Sequence, residues 1–281
     1  GRFTIRDGRV LYHSETIPLD VSGEGLRAGL AYESAGPQYR GRIGVSDLLV
    51  SRPLAAPLRA AAQSAFLFRR NQIVVSSLRL SLPESSIEAS GQVDDLASPH
   101  GNFSASATLL AAELARSFHI PELKTGTVQW SGNGSFRARP PMLAIDGRFS
   151  GSGVSYRNPA VEVRNAGLSG NLDVSESGVR VDDLSVSSSA GKFRGTLDLK
   201  DWRDLRLRGD VSSLSLQAAA AAVRQQGLPW SANRRGPVQL IATVVRAGIS
   251  GLAAAGNLDV LPAGGGVPAS GALDWKYSQK Q

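Results

Sequence analysis

Apolar side chains recur at every second position along most of the chain, the period that sends neighbours to opposite faces of a sheet. The alternation is plain in Phe3, Ile5; in Leu26, Ala28, Leu30, Tyr32; and in Leu58, Ala60, Ala62, Ser64, Phe66, Phe68. It runs on through Leu78, Leu80, Leu82 and Ile87, Ala89, Gly91, Val93, then from Phe103 to Leu109, Val128 to Phe136 and Leu143 to Phe149. The later part carries it from Leu168 to Val174, Phe193 to Leu199, Leu205 to Val211 and Val238 to Val244, and in Leu258, Val260. Asp7-Gly8, Ser98-Pro99, Asn158-Pro159 and Ser177-Gly178 are turn signals between the runs, so the pattern predicts antiparallel strands that are apolar on one face only. Two stretches break the period and predict short helices: Leu109 to Phe118 and Leu216 to Gln226, the second stopped by Gly227.

An internal repeat surrounds those helices. Ile73, Val75, Leu78, Leu80 correspond to Val179, Val181, Leu184, Val186; an Ala-rich helix follows in both, then Pro121 or Pro229, then Gly126-Thr127-Val128-Gln129 or Gly236-Pro237-Val238-Gln239. Approximate modules of 1–72, 73–178 and 179–281 describe one continuous repetitive segment, in which each unit stacks on the next. The fold class expected is mainly β: an elongated, curled antiparallel sheet forming a groove, with two short helices.

Roughly 25 inward apolar side chains of about 60 Å² each make an apolar strip of order 1,500 Å². Monomers rarely expose more than a few hundred. The strip must pack on a second sheet, close into a barrel, or hold something apolar. Gly91, Gly132, Gly134, Gly147, Gly170, Gly195 and Gly209 fall where an inward side chain is due, which favours a strongly curled sheet with room inside over an interdigitated sandwich. In the middle module the side chains expected to line it are Ile87, Val93, Phe103, Val128, Trp130 and Phe136, then Leu143, Ile145, Phe149, Leu168 and Leu172. In the last they are Phe193, Leu197, Leu199, Leu205, Leu207 and Val211, then Val238 and Leu240.

Composition fits a thin structure: of 281 residues 42% are hydrophobic but only 6% aromatic, and 31 are Gly. With no Cys there is no disulfide framework, thiol nucleophile or cysteine metal site. The net charge of +7 raises nucleic acid as a partner, but Arg137, Arg139, Arg148, Arg194, Arg206 and Arg208 are spread singly along strands, without the stacking aromatics of a single-strand binder. They read as a solvated outer face. The chain starts at Gly1 with neither a signal peptide nor an apolar membrane span, so it is expected to be an excised segment, with any membrane anchor outside it.

Catalytic machinery is not expected. His13, His100 and His119 lie at unrelated spacings and read as solvated loop histidines, so no metal or other cofactor is expected. Gly23-Glu24-Gly25-Leu26-Arg27-Ala28 loosely matches a dinucleotide fingerprint but runs into a strand where a helix is required. Asp94-Asp95 and Asp182-Asp183 read as turns. Asn102-Phe103-Ser104 and Asn133-Gly134-Ser135 fit glycosylation sequons, which we take as chance.

The opening Phe3-Thr4-Ile5-Arg6-Asp7-Gly8-Arg9-Val10-Leu11-Tyr12, with Ile17-Pro18-Leu19-Asp20-Val21 and Leu26, resembles the strand, Asp-Gly, strand-ending-in-Tyr unit of the AsmA/TamB family. Val179-Arg180-Val181-Asp182-Asp183-Leu184 to Gly195-Thr196-Leu197-Asp198-Leu199 is similar to that family's repeating module. The resemblance implies a diderm envelope protein, anchored in the inner membrane by a helix outside this segment and extending through the periplasm. It implies a taco-like apolar groove that takes phospholipid acyl chains towards the outer membrane, and an outer-membrane protein as a possible partner. The physical case for the groove is independent of it: burying an acyl chain recovers about 0.8 kcal/mol per CH₂, so roughly sixteen carbons need about 10 kcal/mol of shelter to cross water. Two other readings are a structural or adhesive β-solenoid and a scaffold for inserting outer-membrane proteins through its strand edges.

Overall fold

The computed structural model describes all residues but 15–18, 35, 52–56, 119, 159–161, 216–229, 246–247, 264–266, 269 and 279–281. Seventeen strands and one helix fall within the described residues, and the chain divides into two compact units. Unit 1 is Gly1–Pro121 with Val128–Ala144, and unit 2 is Glu122–Thr127 with Ile145–Gln281.

In unit 1 a meander runs through β1 (Arg2–Ser14), β2 (Leu19–Glu33), β3 (Gln38–Ser51), β4 (Leu58–Arg69), β5 (Gln72–Ser81), β6 (Ser86–Asp94) and β7 (His100–Leu110), each antiparallel to the last. The helix α1 (Ala111–Phe118) follows, then β8 (Leu123–Ala138) and β9 (Pro141–Arg157), which contribute to both units. In unit 2 the meander continues through β10 (Glu162–Ser175), β11 (Gly178–Ser188), β12 (Gly191–Lys200), β13 (Asp204–Ser215), β14 (Trp230–Val245) and β15 (Gly248–Pro262). The short β16 (Val267–Pro268) pairs in parallel with β14, and β17 (Gly271–Ser278) pairs with β15. The mainly antiparallel β class read from the alternation is the class observed.

The helix over 111–118 starts two residues later than the sequence predicts. Leu109 and Leu110 remain in β7, where the Leu110 N–H donates to Ser85 Oγ at 2.9 Å. Glu113 in the first turn suits the positive helix start and accepts the Glu84 N–H at 3.0 Å, and the Ile120 N–H closes the other end on the Ala115 carbonyl at 2.9 Å. The second predicted helix, 216–226, lies outside the described residues.

Two turn signals are corrected. Asp7-Gly8 lies inside β1 and Asp182-Asp183 inside β11; neither reverses the chain. Each marks a bulge, where one strand carries a residue more than its partner and the register shifts. Asp7 (φ 57°) and Asp183 (φ 52°) take the left-handed conformation that Asp tolerates better than most residues, and Asn171 donates to Asp183 Oδ2 at 2.8 Å. Asp94-Asp95, by contrast, does turn, the Ser98 N–H bonding the Asp95 carbonyl. At position 183 a β-branched side chain is strained: Asp183→Val is expected to cost about 1–3 kcal/mol and Asp183→Gly to cost less, as read by urea unfolding. Equal losses in the two variants would exclude the left-handed geometry as the cause.

The repeat is geometric as well as sequential. The bulge that follows Val75 in β5 recurs after Val181 in β11, each strand carrying one extra residue against both of its neighbours. β5, β6 and β7 thus correspond to β11, β12 and β13.

Candidate functional site

Side chains of directly paired residues share a face, so the registers assemble apolar rows across the strands. In unit 2 one row runs Ile145, Val174, Val179, Leu199, Leu205, Ala242 and the next Leu172, Val181, Leu197, Leu207, Leu240, Ala254. In unit 1 one row runs Tyr32, Tyr39, Phe68, Ile73, Val93, with ring centroids 5.2 Å apart for Tyr32 and Tyr39 and 6.5 Å for Tyr39 and Phe68. Another runs Leu30, Gly41, Phe66, Val75, Gly91, Phe103.

No large side chain is fully buried among the described residues, and the core consists of scattered residues such as Val181, Ala242 and Leu258.

The expected lining residues separate between the units. Ile87, Val93, Phe103, Val128, Trp130, Phe136 and Leu143 belong to unit 1; Ile145, Phe149, Leu168, Leu172, Phe193, Leu197, Leu199, Leu205, Leu207, Val211, Val238 and Leu240 belong to unit 2. All are partly buried except Leu143, which is 46% exposed. The same rows include Tyr39, Phe68, Val179 and Val181, which were not among the expected lining residues.

The inner glycines are not simply open space. A side-chain carbon on Gly134 would strike the Phe103 ring, one on Gly41 the Phe66 ring, and one on Gly170 would lie 3.0 Å from the Phe149 ring. Each glycine seats an aromatic ring from a neighbouring strand. Gly195 and Gly209 face each other, and a Cβ on either would come within 2.7 Å of the other's Cα. Two backbones approach there too closely for any side chain.

The opposite face is polar. The six arginines read as solvated are all exposed, and a charge ladder crosses the strands from Asp173 to Arg180 to Asp198 to Arg206. Arg180 donates to Asp182 at 2.8 and 2.9 Å, which holds the Asp182 carboxyl below its ordinary value and raises the guanidinium. What this exposed pair contributes is present above the ordinary aspartate range and fades as acid protonates Asp182. Hydrogen bonds from Arg40, then Gln38, likewise lower the Glu33 carboxyl. An open cleft of about 840 Å³ in unit 2 is lined by Arg208, Asp210, Gln239, Asp274 and Lys276 over Gly209 and Gly256. Its walls carry charges of both signs, and we place the candidate site on the apolar rows instead, because each of those crosses six consecutive strands of the unit.

His13 sits in β1 and is hydrogen-bonded to Asp20 across the strand pair, while His100 Nδ1 lies 3.1 Å from the Ser98 carbonyl; His119 is outside the described residues. Among the described residues no three His, Cys, Asp or Glu side chains converge as metal ligands, and no helix is long and apolar enough to cross a membrane. Comparison of the chain with family models, curated proteins and solved structures finds no match.

Proposed function

We propose that the chain is a segment of an AsmA/TamB-type envelope protein that shelters phospholipid acyl chains against the apolar face of its sheets. It is a binding surface without turnover, placed in the periplasm of a diderm bacterium and held to the inner membrane from outside this segment. The observation that carries the reading is the set of apolar rows, unbroken across at least six strands in unit 2, in which no large side chain of the described residues is fully buried. Rows of this kind suit a ligand that is uniformly apolar along its length. They offer no deep point at which it would be trapped.

Organic extracts of the protein purified without detergent are expected to contain phospholipid in molar proportion, read by mass spectrometry. Extracts with none would overturn the proposal.

A further inference from the structure

Arg234 interrupts the apolar face of unit 2. In β14 the even-numbered Ala232, Val238, Leu240 and Ala242 share one face, with Ala232 and Ala242 each only 2% exposed, and Arg234 falls in the same register. Its partners across the strands are Leu214 in β13 and Val260 in β15. The next residue has an ordinary setting: Arg235 is exposed on the opposite face, 3.6 Å from Asp259. Arg234 has no such carboxylate among the described residues, and its Nε is buried with no hydrogen-bond acceptor.

A guanidinium is charged at any accessible pH, and a charge with an unmade hydrogen bond in apolar surroundings calls for an anion. Beside it β13 carries a bulge between Val211 and Leu214, with Ser213 in the left-handed conformation (φ 53°), a device that re-aims side chains and clusters near sites. The preceding repeat carries a cation at the matching sequence position, the exposed Lys124, two residues before Gly126 as Arg234 lies two before Gly236, and both glycines have positive φ (119° and 147°).

We propose that Arg234 holds the anionic head, a phosphate or carboxylate, of an amphiphile whose tail lies along the apolar rows beside it. The inference rests on the acyl-chain reading above and adds to it the class of headgroup and its anchor. Guanidinium suits the task because its planar fork can meet two oxygens at once.

Calorimetric titration of the whole chain with decyl phosphate, decan-1-ol and inorganic phosphate tests it. The unaltered protein is expected to bind decyl phosphate about tenfold or more tighter than decan-1-ol, the size of one charge-assisted contact. Arg234→Met should abolish that preference while leaving decan-1-ol binding intact, Arg234→Lys should retain part of it, and Arg235→Gln should retain all of it. Circular dichroism establishes that each variant is folded; were Arg234→Met to unfold, the comparison of Arg234→Lys with Arg235→Gln decides. Decyl phosphate bound equally by the Arg234 variants and the unaltered protein would overturn the inference, as would inorganic phosphate binding as tightly as decyl phosphate. Arg234-dependent binding of decyl phosphate without any binding of decan-1-ol would uphold the anion site and sink the acyl-chain reading. Failure of every probe to bind would sink both.

Discussion

A photoreactive side chain at position 207 is expected to crosslink phospholipid in cells, and one at 206 or 208 is not. Leu207 lies between Leu197 and Leu240 in an apolar row, whereas Arg206 faces the other way, in register with Asp198 and Ile241, and both arginines are exposed. One residue along a strand is thus a complete change of solvent. Leu207→Asp should cost about 2–4 kcal/mol in stability, from the lost apolar contacts and an unpaired carboxylate among them. Arg206→Gln should stay within about 0.5 kcal/mol, since it removes only an exposed cation. Equal lipid crosslinking at 206 and 207 in folded protein would mean that the apolar face is not the lipid face.

Gly209→Val is expected to cost about 3 kcal/mol or to prevent folding of unit 2. The new Cβ would lie 2.7 Å from the Gly195 Cα and against the Arg194 carbonyl, and backbone cannot step aside as a flexible side chain can. Gly29→Ala is the matched control: it lies in β2 with nothing within 4 Å of the added carbon and should shift stability by about 0.5 kcal/mol or less. Similar urea midpoints for the two variants would show that the close approach at Gly195 and Gly209 is not obligatory.

Most of the strands could be read from the sequence because period two is imposed by the backbone itself: Leu205, Leu207 and Val211 alternate with Arg206, Arg208 and Asp210 whatever lies around them. The bulges were harder. Val181-Asp182-Asp183-Leu184 places apolar residues three apart, and the Asp pair suggests a turn unless the flanking Val179 and Val186 are read as one strand with a changed parity. The seating of rings on glycines depends on which strands pair and in what register, so Gly134 beneath Phe103 is visible only once β7 and β8 are in place. Arg234 did leave a signal, an arginine two residues from Ala232 and four from Val238 in the apolar parity, but it was obscured by the many arginines of the other parity. The headgroup-binding role proposed for it needed the buried, acceptorless Nε to be seen.

The recurrent bulges also act on the reading frame of the sheet. Losing any ordinary residue from the middle of β11 would send everything after it to the wrong face, apolar side chains into water and polar ones into the rows. Losing Asp183 would not: Val181, Leu184 and Val186 would then stand two apart, and the strand would revert to plain alternation in phase with β10 and β12. The same holds for Ser76 in β5, between Val75 and Ser77. Each bulge is therefore a place where the gene could gain or shed one codon without scrambling the two faces, and a lineage of such repeats would be expected to vary in length there and in the hairpin loops, while the rest of each strand keeps its count.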